Sequence, residues 1–114
     1  MNTNEYIMKY GLNTSKSNKF NREEFIKDLS NEFLERFNNT KVAREKMGLE
    51  FDFKIFLELV KDMYVKFNSI SNKKYGPPLT QKLFSAFYAI TVIPTREKFF
   101  PKEHMEITNR RNNL

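Results

Sequence analysis

The 114-residue chain contains no cysteine. That excludes disulfide frameworks, thiolate metal sites, iron–sulfur clusters and cysteine nucleophiles. Its single histidine cannot supply a histidine-based metal cluster. The three glycines, Gly11, Gly48 and Gly76, stand too far apart to build a phosphate-cradling loop. No serine sits in a nucleophile-elbow pattern. No apolar run approaches the ~18–20 residues of a membrane span. The opening MNTNEYIMKY has no basic region followed by a hydrophobic stretch, so no signal peptide is expected and a cytoplasmic setting is. Together these absences point away from chemistry and towards binding. The expectation is a protein that is not an enzyme, with no metal and no cofactor.

What is present is aromatic and basic. Twelve Phe and five Tyr stand beside no Trp, and Lys outnumbers Arg 14 to 6 among residues that also include 13 Asn. An AT-rich genome produces the same Phe/Lys/Asn bias, so total charge is weaker evidence than its placement. The net charge is +6, and it is unevenly spread. Residues 1–20 carry a net +2, residues 21–50 a net −1, residues 51–70 balance, and residues 71–114 carry +5. Affinity for a polyanion depends on such local clustering. A nucleic-acid surface would therefore draw on Lys73, Lys74, Lys82, Arg96, Lys98, Lys102, Arg110 and Arg111, with Lys9, Lys16 and Lys19 as outlying partners. Phe99 and Phe100 lie among these cations and suit stacking on single-stranded bases. The same pair, followed by Pro101, also suits closing the core.

Hydrophobic spacing predicts an all-α protein. Residues 1–19, rich in Asn, Ser, Thr and Lys, read as a flexible basic arm with a docking cluster YIMKY. Residues 20–108 form the single helical domain, and residues 109–114 fray. Asn21 caps the first long helix with Glu24 three positions on, and Phe20 and Phe25 stand as a hydrophobic staple. Phe25, Leu29, Phe33 and Phe37 recur every four residues until Asn38-Asn39-Thr40 ends the stripe. A short helix over 41–47 stops at Gly48. A third helix runs from about Asp52 to Asn68 with Phe53, Phe56, Leu57, Val60, Tyr64 and Phe67 on one face. Its other side pairs Lys54 with Glu58 and Asp62 with Lys66 at four-residue spacing, a solvated pattern rather than an acid–base site. A polar loop over 69–75 and the Gly76-Pro77-Pro78 break precede a fourth helix to about residue 90. Thr91-Val92-Ile93 favours extended backbone, Pro94 interrupts, and the basic C-terminal segment reads as irregular. The architecture is a small bundle of three to four principal helices.

VAREKMGL followed by an apolar helix invites a helix–turn–helix reading, which counting does not support. The small residue wanted four positions before Gly48 is Arg44, and the apolar site six after it is Lys54. Only Leu57, nine after it, fits. The expectation is a non-catalytic regulatory or accessory protein that contacts DNA or RNA through its basic C-terminal surface. The alternative is a protein-binding adaptor or inhibitor acting on a larger nucleic-acid-processing machine, as monomer or homodimer. Its interface would use the surplus of large apolar side chains, for which Tyr6, Met8, Tyr10, Met63, Tyr64, Phe84 and Tyr88 are candidates.

Overall fold

The computed structural model describes residues 2–10 and 21–112, and within these the backbone alone of residues 71–80. The described residues are helical, with no strand: α1 (Thr3–Lys9), α2 (Arg22–Lys46), α3 (Phe53–Phe87), a π-helical turn over Tyr88–Val92, α4 (Ile93–Phe99) and α5 (Pro101–Asn112). The all-α expectation holds.

Helix starts follow side-chain chemistry legible in the sequence. Asn2, Asn21 and Asp52 each sit in extended backbone, and their side chains accept from the N–H groups of Glu5, Glu24 and Ile55. Each bond satisfies one of the orphan donors of a first helical turn. Glu23 and Glu24 add negative charge where the helix dipole is positive. Pro101 opens α5, where its fixed φ is helical and no N–H is needed. Gly48 stops α2 with φ +71°, the only positive φ among the described residues. Its N–H donates to Glu45 O and that of Leu49 to Arg44 O, the paired closure that needs a left-handed residue.

Several expected breaks are absent. Asn38, Asn39 and Thr40 stay inside α2, because their modest helix propensity costs only tenths of a kcal/mol each (up to about 0.7). That is little against Phe37, which is buried beside Phe51, Phe56 and Phe99. The expected loop over 69–75 and the Gly76-Pro77-Pro78 break fall within the helical α3. Yet α3 is not straight. A straight helix would hold Phe67 and Phe87 about 30 Å apart at 1.5 Å per residue, whereas their ring centroids are 5.1 Å apart. The Tyr64–Phe84 and Phe67–Phe84 ring pairs, at 5.0 and 5.6 Å, repeat the observation. The part of α3 that carries Tyr64 and Phe67 therefore packs against the part that carries Phe84 and Phe87.

Thr91-Val92-Ile93 is helical rather than extended. Pro94 has no N–H to donate to Ile90 O, and the backbone meets this by widening into the π turn just before it. Residues 105–112, within the stretch expected to be irregular and then frayed, belong to α5.

The core is a continuous phenylalanine cluster. Phe25, Phe33, Phe56, Phe67 and Phe87 are fully buried, with Leu29, Met63, Ile70, Leu83 and Val92 between them. Phe33 meets Phe56 and Phe87 edge-on at 6.2 and 5.7 Å, the geometry that brings positive ring edges to negative faces. Helix α1 extends this core rather than hanging from it. Tyr6, Ile7 and Tyr10 are buried, and the rings of Tyr6 and Tyr10 lie edge-on to Phe25 at 6.1 and 5.2 Å. Of the expected flexible arm, residues 3–9 are thus a docked helix, while residues 11–19 and the staple residue Phe20 lie outside the described residues.

Candidate nucleic-acid interface

The structure sorts the eight predicted cationic residues into different environments. Lys82, Lys98, Lys102, Arg110 and Arg111 are exposed, whereas Arg96 is 5% exposed. The side chains of Lys73 and Lys74 lie outside the described residues. Arg96 is therefore not part of an open basic surface, because the π turn and α4 carry it inward against α5.

The Arg96 guanidinium donates from Nε to His104 Nδ1 at 3.2 Å and from one terminal nitrogen to Tyr88 Oη at 3.1 Å. Acceptance at Nδ1 assigns the His104 proton to Nε2, which is then a donor. His104, Thr108 and Arg111 fall at i, i+4 and i+7 of α5, one face of the helix. That face borders a hollow of about 380 Å³ lined by Ile93, Arg96, His104, Thr108, Arg111 and Asn112. A second hollow of about 340 Å³ shares Ile93 and Arg111 with it and is otherwise lined by Phe84, Ser85, Tyr88 and Ala89. Of the predicted cations the structure thus brings Arg96 and Arg111 together. His104 joins them with Thr108 and Asn112.

An aromatic path leads to this place. Tyr64, 41% exposed, meets the Phe84 ring at 5.0 Å, and Phe84 meets Tyr88 at 6.1 Å. Tyr88 then bonds to Arg96. Aromatic surface and buried cation are physically continuous. Phe99 and Phe100 do not extend it. Phe100 is buried against Phe53 and Phe56, so it closes the core. The Phe99 ring packs on Phe37 at 4.9 Å and carries Lys41 and Lys98 at 4.7 and 5.3 Å. The protein's own cations already occupy it.

The expected protein-interface residues divide as well. Tyr6, Tyr10 and Met63 are core residues, which corrects their placement on a binding surface. Their apolar bodies belong to the core, and the hydroxyls of the two tyrosines are satisfied there. Tyr6 Oη donates to Glu32 at 2.8 Å, Tyr10 Oη donates to Asp28, and Lys66 pairs with Glu32. Burial, and then the bond to Glu32, pushes the Tyr6 hydroxyl well above its ordinary value. Burial alone would raise the Asp28 carboxyl, but bonds from Lys9, at 2.6 Å, and Tyr10 outweigh it and hold Asp28 below the usual carboxylate range. Met8 and Tyr64 remain exposed, and Phe84 and Tyr88 are half-buried.

Among the described residues no three His, Asp or Glu side chains are grouped to hold a metal ion. No helix among them is long and apolar enough to cross a membrane. No protein-family model, curated protein or solved structure matches the chain.

Proposed function

We propose that this protein is a non-catalytic accessory module that binds single-stranded DNA or RNA along the path from Tyr64 to Arg111. The carrying observation is the continuity of Tyr64, Phe84 and Tyr88 with the hollow that holds Arg96, His104 and Arg111. Bases stack on aromatic rings without regard to sequence, while cations take the backbone phosphates. Ion pairing favours the same end of the molecule. The ion pairs of the described residues join Lys9 to Glu24 and Asp28, Arg36 to Asp62, and Lys66 to Glu32. None involves a described basic residue beyond position 70, and of those Lys82, Lys98, Lys102, Arg110 and Arg111 are exposed as well.

Fluorescence anisotropy with labelled single strands and duplex, titrated across salt, tests the reading. The expected result is tighter binding to single strands with a log–log salt slope of about −0.7 per phosphate contacted. Tyr64→Ala should weaken that binding by ~5–150-fold, the range for loss of one stacked base, with the far-UV CD spectrum unchanged. Absent or salt-independent binding refutes it. A second reading, a protein-binding adaptor or homodimer, rests on Leu57, Tyr64 and Val65, which are 48%, 41% and 56% exposed on α3. Concentration-dependent sedimentation without strand binding would favour that one.

A further inference from the structure

We infer that the hollow between α4 and α5 is a phosphate-monoester site, which in a strand-binding protein takes the phosphorylated end of the strand. The inference rests on the single-strand reading for its source of phosphate, but the site itself is argued from Arg96. A guanidinium is always charged and carries five N–H donors. Burying such a charge is costly unless an anion and hydrogen bonds compensate it. Arg96 is 5% exposed, the most buried cation among the described residues, and yet it pairs with no carboxylate among them. The more exposed Lys9, Arg36 and Lys66 all do.

Its two hydrogen bonds go to His104 and Tyr88, neither of them an anion, and the remaining three N–H groups meet no protein acceptor among the described residues. The acidic neighbours on α4 and α5, Glu97, Glu103 and Glu106, are absent from the lining of the hollow. The residues that line it are Arg96 and Arg111, His104, Thr108 and Asn112, each with a side chain able to donate, together with Ile93. That set is one negative ligand short.

The chemistry of the donors selects the ligand. A phosphate monoester carries about −1.5 to −2 charge at neutral pH and three strong acceptor oxygens. An internal phosphodiester offers one charge and two unesterified oxygens, fewer than the donors that converge here. Guanidinium groups match phosphate in paired fashion. The adjoining hollow beneath Phe84 and Tyr88 shares Ile93 and Arg111 with this one, so the nucleoside next to a bound terminal phosphate would lie against aromatic rings.

The test compares one labelled ten-nucleotide strand carrying a 5′-phosphate, a 3′-phosphate or hydroxyl ends, with orthophosphate measured separately by calorimetry, all on the full chain. One phosphorylated strand should bind at least ~10-fold tighter than the hydroxyl strand, as expected when charged hydrogen bonds form. Arg111→Gln, at an exposed position, should erase that preference, so that the phosphorylated and hydroxyl strands bind it alike. Orthophosphate should raise the melting temperature of the native chain and not that of Arg96→Gln. Equal binding of all three strands, with orthophosphate inert, overturns the phosphate site and leaves single-strand binding standing. Orthophosphate binding that is lost in Arg96→Gln, without affinity for any strand, supports the site and refutes its strand source. Failure of every arm overturns both.

Discussion

Tyr6→Ala separates a docked helix from a tethered arm. The Tyr6 ring is 1% exposed, edge-on to Phe25, near-parallel to Tyr10 and beneath the Lys66 ammonium at 5.0 Å. Truncating a buried aromatic side chain to alanine costs about 3–5 kcal/mol, a large part of the ~5–15 kcal/mol that holds a domain together. At about 4 °C per kcal/mol for a chain of this size, the melting temperature should fall by ~12–20 °C. Tyr6→Phe isolates the hydroxyl. It removes the bond to Glu32, which keeps Lys66, and should cost about 1 kcal/mol. Met8→Ala, in the same helix but 79% exposed, should stay within about 0.5 kcal/mol of the native chain. Urea unfolding followed by far-UV CD and tyrosine fluorescence measures all three. If Tyr6→Ala moves the midpoint no further than Met8→Ala, α1 lies outside the cooperative unit and the account of the core is wrong.

The α1 seam should also be sensitive to pH at both extremes. The Asp28 carboxyl is held below the ordinary value of about 3.9, so its stabilisation is complete above that value and is lost as pH falls through the folded one. Burial, aided by the bond to Glu32, raises the Tyr6 hydroxyl, and the bond to Asp28 raises the Lys9 ammonium, so theirs is complete below about 10 and is lost as pH climbs through the raised values. The urea-midpoint difference between native chain and Asp28→Asn should therefore vanish in acid. Gly48→Ala should cost about 1–2 kcal/mol, all of it conformational, since a Cβ there meets nothing within 4 Å; thermal unfolding reads it. Thr91→Val removes the buried 2.6 Å bond to Ser30 and should cost about 1–3 kcal/mol. Adding Ser30→Ala should recover part of that loss, because the stranded hydroxyl goes with it, and a double-mutant cycle in urea checks the recovery.

The helical stripes were legible because burial follows periodicity. Phe25, Leu29, Phe33 and Phe37 lie on the buried face of α2, as their four-residue spacing requires. The cap at Asn21 and the stop at Gly48 were equally plain, each being decided within a few residues. Local breaks misled where tertiary packing overrode them. Asn38-Asn39-Thr40 carries little penalty once Phe37 is anchored, and Pro94 acts by widening one turn instead of ending a helix. The candidate site suffered most from this. With the C-terminal segment read as irregular and residues 109–114 as frayed, His104, Thr108 and Arg111 share no face. Read as α5, they fall on one stripe, and the seven-residue span from His104 to Arg111 would have joined the histidine to the cationic set.

Charge counting treated unlike cations in the last third of the chain as equivalent. Lys98, Lys102 and Arg110 stand in water, where ionic strength screens them over roughly 8–10 Å. Their contribution to a polyanion is attraction at a distance, felt in the rate of encounter. Arg96 is shielded from solvent, so its interaction with a seated anion is screened far less and acts only after contact. Arg111 stands between the two regimes, exposed yet lining both hollows. A basic surface that only steered would have no reason to desolvate a guanidinium, and a solubilising one still less. The burial of Arg96 without a carboxylate among the described residues, beside a hollow that His104, Thr108, Arg111 and Asn112 also line, is the observation on which the proposed site rests.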